Sequence, residues 1–217
     1  MKKIAALALL GGLGLVVRAE ESIWTGPSAG VTLGAVRHTA SWAGNSSDGD
    51  RPSGNTLNTG FLPGVHLGYD WLRGTTVMGV ELSHAFGTST KDSTTGSSAY
   101  PVQRADRLKS LSGLTFRWGL PQGDNLYYVR GGVGLVRADH TFTPTQAAQD
   151  AFTASNQKGG LLLGIGFERR IADSLAFRAE YTRFQGASES YTWASTGQTY
   201  RTQEKLDIFK AGLSWRF

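Results

Sequence analysis

Two sets of side chains in this sequence could do chemistry. The first set consists of charged residues that fall on the polar face of alternating segments: Glu81, Arg117, Arg130, Glu168, Arg178, Glu180, Lys210 and Arg216. Glu168 and Glu180 could act as a general acid and base, but nothing in the sequence places a substrate cleft beside them. Because charges taken out of bulk water need partners, we interpret the set as a structural ion-pair network. A gate or narrow charged pore is the alternative.

The second set consists of the four histidines, which are His38, His66, His84 and His140. None is spaced from a second histidine like a pair of metal ligands, and the chain contains no cysteine. We therefore predict no metal site and no cofactor. A serine–histidine pair could supply a nucleophile and its base. His84 cannot pair with Ser83 in a strand, because adjacent strand residues face opposite ways, which leaves Ser110 and Ser112 as alternatives.

The elements that must position these residues are β-strands, because apolar residues recur at every second position. In the last twelve residues, one face carries Phe209, Leu213, Trp215 and Phe217, and the other face is mostly small, polar or charged. Eight such segments are predicted, near residues 24–36, 58–71, 76–86, 107–119, 126–138, 159–171, 175–186 and 204–217.

The connections between these segments alternate in length. The short ones are Leu72–Thr75, Leu120–Asn125 and Ile171–Ser174, and the long ones are Arg37–Leu57, Gly87–Asp106, Asp139–Lys158 and Ala187–Gln203. Four long polar loops are unusual in a compact soluble domain but typical of a membrane barrel. The sequence therefore predicts an all-β fold, an eight-stranded antiparallel up-and-down transmembrane β-barrel with short periplasmic turns and four long extracellular loops.

The beginning of the chain has the pattern of a secretory signal peptide. Lys2 and Lys3 precede an apolar stretch that is too short to span a membrane as a helix, and cleavage is predicted between Ala19 and Glu20. The barrel domain would then be residues 20–217. The formal charge is +5, and removal of residues 1–19 takes away three positive charges and leaves +2. A chain so nearly neutral has no electrostatic signature of nucleic-acid binding.

The two faces of the predicted strands differ in a way that suits a barrel in lipid. Glycine falls repeatedly on the polar face, where a narrow eight-stranded barrel has little room. Aromatic residues cluster near the short turns and predict an interfacial girdle of Tyr69, Trp71, Trp118, Tyr127, Phe177 and Trp215. Counted from the short turns, the expected ion pairs are Glu81–Arg117, Arg130–Glu168 and Glu168–Arg178.

Several segments resemble the small eight-stranded outer-membrane β-barrel proteins of Gram-negative bacteria, which include the porin family and the outer membrane protein beta-barrel domain. These segments are GVHLGYDW and VMGVELS within Gly64–Ser83, LYYVRGGVGLV (Leu126–Val136), Leu163–Phe184 and FKAGLSWRF (Phe209–Phe217). The resemblance implies the transmembrane barrel of the OmpA type and the bacterial outer membrane. Phe217 looks like the sorting signal that the outer-membrane assembly machinery binds.

The resemblance says little about activity, because members of such families differ mainly in their loops. We expect a non-enzymatic, largely plugged barrel with a structural and surface-interaction role. A small diffusion channel, an outer-leaflet lipid-modifying enzyme and a soluble ligand-holding barrel are the alternatives. The expected partners are outer-membrane lipid, lipopolysaccharide and the assembly machinery. An extracellular ligand could bind the aromatic residues of the loops, namely Trp42, Tyr100, Phe152, Tyr191, Trp193 and Tyr200.

Overall fold

A computed structural model describes residues 23–45, 53–87, 90–97, 100–144, 152–192 and 199–217. The predicted signal segment and its cleavage point lie outside these ranges. Within them the regular elements are all β-strands, and no helix of membrane-spanning length and hydropathy is present there. The strands are β1 (Gly26–Asn45), β2 (Ser53–Arg73), β3 (Thr76–Phe86), β4 (Thr90–Ser97), β5 (Tyr100–Gln122), β6 (Asn125–Pro144), β7 (Phe152–Ala172), β8 (Leu175–Gly186), β9 (Glu189–Thr192) and β10 (Thr199–Arg216).

The strands form one closed antiparallel barrel. The order around it is β1-β2-β3-β5-β6-β7-β8-β10, and β10 pairs with β1 to complete the circle. The short strand β4 pairs with β5 beyond the end of β3, and β9 pairs with β10 beyond the end of β8. After a break in the chain's pairing, β4 therefore continues the line of β3, and β9 continues the line of β8. The prediction of an eight-stranded antiparallel barrel is confirmed.

Three two-residue turns lie at one end of the barrel, which we call the turn end. Gly74 and Gly123 occupy two of these turns with φ angles of 63° and 57°, values that residues with a Cβ rarely adopt. Residues 173 and 174 form the third. The beginning of β1 and the end of β10 also lie here, since Ser28 is paired with Arg216. The opposite end of the barrel is called the far end.

The prediction of four long loops was wrong for much of their length. The ladder between β1 and β10 continues to Asn45, and β5 and β7 begin as early as Tyr100 and Phe152. The Ser-, Thr- and Gly-rich composition suggested loops because it carries no apolar alternation. A strand with water on both faces needs no apolar face, and its backbone hydrogen bonds are still satisfied by the ladder.

The strands are consequently longer than a membrane requires. A strand of 20 residues such as β1, tilted by about 40°, rises about 50 Å along the barrel axis. The apolar band of a membrane barrel is only about 25 Å tall. A substantial part of the barrel wall therefore stands beyond the band.

Toward the far end, the described ladder is interrupted along two seams, which divide it into two walls, and β4 lies across one seam from β2. Among the described residues, β2 pairs with β3 only from Gly64 onward, and β7 pairs with β8 only from Gly160 onward. Further toward the far end, one wall contains β2, β1, β10 and β9, and the other contains β4, β5, β6 and β7. The two seams lie on opposite sides of the barrel.

The outward face of the barrel is apolar over the turn-end half. Leu33, Phe61 and Phe209 expose 58%, 64% and 66% of their surface. Further members of this band are Val31, Val65, Leu67, Val80, Leu82, Leu114, Phe116, Val129, Val133, Leu135, Leu161, Leu163 and Ile165. A barrel in water would have polar residues at these positions. The arrangement fits contact with lipid and argues against a soluble ligand-holding barrel.

A cation placed in the middle of this band should destabilise the barrel. We expect Leu163→Arg, at an outward position of β7 that is 61% exposed, to lower the free energy of unfolding in lipid bilayers by about 2–4 kcal/mol. The matched control is Ile171→Arg, on the same strand beside the turn, where the cost near an interface is about 0–1 kcal/mol. Reversible urea unfolding of both variants measures the difference. Equal costs at the two depths would contradict lipid contact at Leu163.

Candidate functional site

The interior of the barrel is filled by three stacked layers of side chains. The layer nearest the turn end is an apolar cluster of Trp24, Val77, Leu126, Tyr128 and Ala176. The layer toward the far end is a larger apolar cluster of Val36, Leu62, Leu108, Leu111, Val136, Leu162, Phe184, Leu206 and Ile208. The layer between them consists of charged residues. The two apolar clusters were not expected from the sequence, where the inward face was taken to be polar.

All eight residues of the expected network point into this middle layer, which we call the ionic layer. Asp70 joins them, and it is 1% exposed. Sequence reasoning placed Asp70 on the polar face of its strand but did not include it in the network. The sequence pattern could have identified Asp70 as a member, because this residue shares the polar face with His66 and lies close to a short turn.

Four of these charges form a closed ring of alternating sign. Arg117 donates to Asp70 through Nε at 2.6 Å and to Glu168 through Nη1 at 2.6 Å. Arg216 donates to the same two carboxylates, with 2.7 Å from Nη1 to Asp70 Oδ2 and 2.7 Å from Nη2 to Glu168 Oε2. Each carboxylate thus lies between two guanidinium groups, which offsets the cost of removing the charges from water.

Glu180 is the centre of a second group of contacts. Its carboxylate accepts hydrogen bonds from Arg130 Nη1 at 2.8 and 2.9 Å, from the Tyr128 hydroxyl at 3.0 Å and from the Thr182 hydroxyl at 2.6 Å. The Lys210 ammonium lies 2.6 Å away. Arg178, two residues earlier on the same strand, also donates to it. Glu180 therefore fastens β6, β8 and β10 together.

Glu81 connects the opposite sides of the barrel. It lies on β3 and pairs with Arg178 on β8 at 2.6 Å and with Arg130 on β6 at 2.9 Å. Strands β3 and β8 are diametrically opposed in the barrel order. The interior is therefore narrow enough for one ion pair to span it, as expected of eight strands.

The pairings differ from those predicted for neighbouring strands. Glu81 contacts Arg130 and Arg178 instead of Arg117, and Arg117 contacts Glu168. Of the three predicted pairs, Glu168 and Arg178 do approach, but at 3.9 Å. The prediction compared heights on adjacent strands. Long side chains in a narrow lumen reach past the neighbouring strand, either to the next strand or to the opposite side of the barrel. Equal height on adjacent strands therefore does not determine which residues pair.

An aromatic ring separates two guanidinium groups within the ionic layer. The carbon of the Arg117 guanidinium lies 5.2 Å from the centroid of Tyr128, and that of Arg178 lies 5.5 Å from it. These distances allow cation–π attraction. The ring rests over Gly166, where a Cβ would collide with it. Glycine is required at this position to leave room for Tyr128.

The histidines lie in different environments. His66 points inward, and its Nε2 is 3.2 Å from the Ser214 hydroxyl. His84 points outward, and its Nδ1 is 2.9 Å from Ser112 Oγ on β5. His38 is buried, while the side chain of His140 is outside the described part of the structure. No group of three His, Asp or Glu residues in the described ranges is arranged to hold a metal ion.

The predicted interfacial aromatics lie on the outward face toward the turn end. Tyr69, Trp118, Tyr127, Phe177 and Trp215 are exposed by 38–53%, and Trp71 lies beside Phe116 with ring centroids 6.2 Å apart. Phe217 is 79% exposed, and its backbone N–H donates to the Pro27 carbonyl at 3.0 Å. Their roles as a girdle and a sorting signal remain predictions. The side chains of the six loop aromatics lie outside the described residues.

Removing one charge from the ring should destabilise the barrel without preventing its insertion. We expect Glu168→Gln to cost about 3 kcal/mol or more, because Arg117 and Arg216 would lose half of their counter-charge in a buried site. The matched control is Asp124→Asn, whose ion pair with Arg170 is exposed at a turn and contributes about 0–1 kcal/mol. Urea unfolding in bilayers compares them, and unchanged stability of Glu168→Gln would refute a structural role.

Comparison with known proteins places this architecture in a family. The model of the family described as "Outer membrane protein beta-barrel domain" matches residues 5–217. Among curated proteins, none matches the sequence. The outer membrane protease OmpT of Escherichia coli is 8% identical, with 88% of this chain and 97% of that chain covered and a TM-score of 0.50.

Two other solved structures are similar at comparable coverage. The attachment invasion locus protein Ail of Yersinia pestis is 12% identical, with 89% and 99% of the two chains covered and a TM-score of 0.43. OprG of Pseudomonas aeruginosa is 13% identical, with 87% and 96% covered and a TM-score of 0.45. Such low identities show the barrel fold alone. The family match over nearly the whole sequence is decisive: this chain belongs to the outer membrane protein beta-barrel domain family and is a transmembrane β-barrel of the bacterial outer membrane.

Proposed function

We propose that this protein is a non-enzymatic outer-membrane barrel that acts through its surface and not through its lumen. The observation that carries the proposal is the filling of the interior by an ionic layer between two apolar clusters. Phe184, Leu126 and Glu168 are each 0% exposed, and they represent the three layers. A solute would have to displace all three layers to cross.

The far end supplies the surface for such a role. Its two walls carry edge strands, and residues 53–60 of β2 pair with β1 but with no other described strand. An unpaired strand edge can bind an extended peptide by adding it as a further strand. We infer that the far end faces the outside of the cell and contacts other macromolecules there.

A sealed lumen predicts electrical silence. The refolded barrel in a planar bilayer should show no reproducible single-channel steps above those of a heat-denatured sample. Correct folding is checked by the shift in gel mobility between unheated and boiled samples. Stable conductance steps from the wild-type protein would contradict the proposal and favour a small diffusion channel.

A variant that opens all three layers shows that the assay can detect a channel. Leu126→Ala, Arg178→Ala and Phe184→Ala together remove one large side chain from each layer. We expect this triple variant to conduct while each single variant stays silent, because the remaining two layers still seal the lumen. Conductance in any single variant would locate the seal in one layer only.

An outer-leaflet lipid hydrolase is a second candidate function, and one contact favours it. His84 and Ser112 are paired across β3 and β5 on the outward face, with 2.9 Å between Nδ1 and Oγ. A serine nucleophile with a histidine base is a recognised arrangement. Phe86 packs edge-on against the imidazole, with 4.6 Å between the centroids, and among the described residues no carboxylate contacts His84. We therefore prefer the non-enzymatic role.

Lipid hydrolysis distinguishes the two candidates directly. The folded barrel is incubated with phospholipid and with lipid A in mixed micelles, and released fatty acid is measured against the Ser112→Ala variant. We expect no difference between the two proteins, because no carboxylate in the described ranges orients the histidine. Fatty-acid release that disappears in Ser112→Ala would establish an enzyme.

A further inference from the structure

A cluster of cations lies on the outward face of β1, β10 and β8, at the far-end margin of the apolar band, where Arg183 is the register partner of Leu163 on β7. Arg37 and Arg183 are the register partners of Asp207 on its two sides. Lys205 is the next outward residue of β10 toward the far end. We call Arg37, Arg183 and Lys205, together with Asp207, the cationic patch. Three positive charges face one carboxylate, so the patch has a net charge of +2.

The carboxylate in the patch is held by its surroundings. The Tyr181 hydroxyl donates to Asp207 Oδ1 at 2.6 Å, and Arg183 Nε lies 3.8 Å from the same oxygen. The Arg183 side chain is still 48% exposed, and Arg37 is exposed as well. Asp207 therefore orders the patch without neutralising it. The guanidinium groups remain accessible to an anion from outside.

A groove in the lipid-facing surface begins directly below the patch. It has a volume of about 840 Å³ and runs around the outward face at the level of Ala35, Ala179 and Ala211. Ala211 on β10 is the register partner of Ala179 on β8, so two small side chains lie next to each other across these strands, and Ala35 on β1 lies one outward position further along. The outward surface is recessed at these positions, because methyl groups replace the larger side chains found elsewhere in the band.

Aromatic rings form the edge of this groove next to the patch. Tyr181 and Phe209 lie one outward position below Arg183 and Asp207, and their ring centroids are 4.9 Å apart. Phe61 lines the groove on the other side of Ala35. A hydrocarbon chain lying over the alanines would therefore be flanked by rings, with its polar end beside the cations.

We propose that this face binds one phosphorylated glycolipid of the lipid A type, with a phosphate on the cationic patch and an acyl chain in the groove. A cationic residue at a membrane surface attracts anionic headgroups, and arginine pairs with phosphate through two hydrogen bonds. A phosphomonoester carries close to two negative charges at neutral pH, which matches the net charge of the patch better than a phosphodiester does. The assignment rests on the proposed orientation, in which the far end faces outward.

The barrel offers a matched control on its opposite side. Arg107 and Lys109 on β5 and Arg137 on β6 also point outward toward the far end. Strands β5 and β6 are diametrically opposite β10 and β1. Lys109 forms an ion pair with Asp139 at 2.6 Å. Removal of these three cations changes the total charge equally but leaves the proposed site intact.

Native mass spectrometry of the folded barrel in detergent tests the proposal, with lipid A, dephosphorylated lipid A and phosphatidylglycerol as probes. We expect one tightly bound lipid A. The triple variant Arg37→Gln, Arg183→Gln and Lys205→Gln should bind it about tenfold to a hundredfold more weakly. The control variant Arg107→Gln, Lys109→Gln and Arg137→Gln should stay within about twofold of wild type. Dephosphorylated lipid A should bind all three proteins weakly and equally.

The other outcomes overturn the proposal. Equal losses in the two triple variants would mean general attraction to a basic surface. Equal binding of phosphatidylglycerol and lipid A would assign the site to phospholipid. Undiminished binding of dephosphorylated lipid A would exclude phosphate recognition. Each of these results leaves the conductance measurement unaffected, so failure of this site is distinguishable from failure of the proposed function.

A second variant tests the groove separately from the charge. Ala179→Phe with Ala211→Phe fills the groove at two lipid-facing positions and removes no charge. We expect it to fold, as judged by gel mobility, and to bind lipid A about tenfold more weakly. Unchanged binding would show that the acyl chain does not occupy the groove.

Discussion

The structure depends on one constraint, that backbone N–H and C=O groups inside a bilayer must bond to each other. Pairing of β1 with β10 meets this constraint by removing both edges of the sheet within the membrane. Closure with only eight strands also makes the interior narrow. The inward side chains must then fill a slender column, and the outward ones meet lipid. Filling of the lumen by side chains, inward glycines and an apolar exterior all follow from this closure.

Within this narrow interior, the charges act as cross-links between strands that are not neighbours. Glu81 on β3 pairs with Arg178 on the opposite side of the barrel. Arg117 and Arg216 share the carboxylates of Asp70 and Glu168, and these four residues lie on four different strands. The backbone ladder joins each strand only to the next one. The ionic layer adds connections across the barrel, and the apolar clusters above and below exclude water from it. Both effects oppose flattening of the barrel.

The sequence was sufficient to predict the strands where lipid imposes a strict alternation, as in Leu161–Ile165 or Phe209–Phe217. Strand prediction failed where no contact with lipid requires the alternation. The polar strand ends at Asn45 and Phe152 have no apolar face, so composition suggested loops. Charged inward positions were predictable from the same alternation, but their partners were not, because a guanidinium group can reach several carboxylates. The inward Leu162 escaped notice because it lies between two outward apolar residues, Leu161 and Leu163, in the sequence.

The separation of the far end into two walls has a consequence for evolution. Residues 53–60 share a ladder with one described neighbour only, and they lie beyond both the lipid band and the three interior layers. Substitutions, insertions and deletions there leave the energetics of the membrane part almost unchanged. Selection can therefore diversify the two walls independently of each other, while drift in the lower barrel is restrained by every cross-strand contact. Related chains should accordingly differ in the walls long before they differ at the ionic layer.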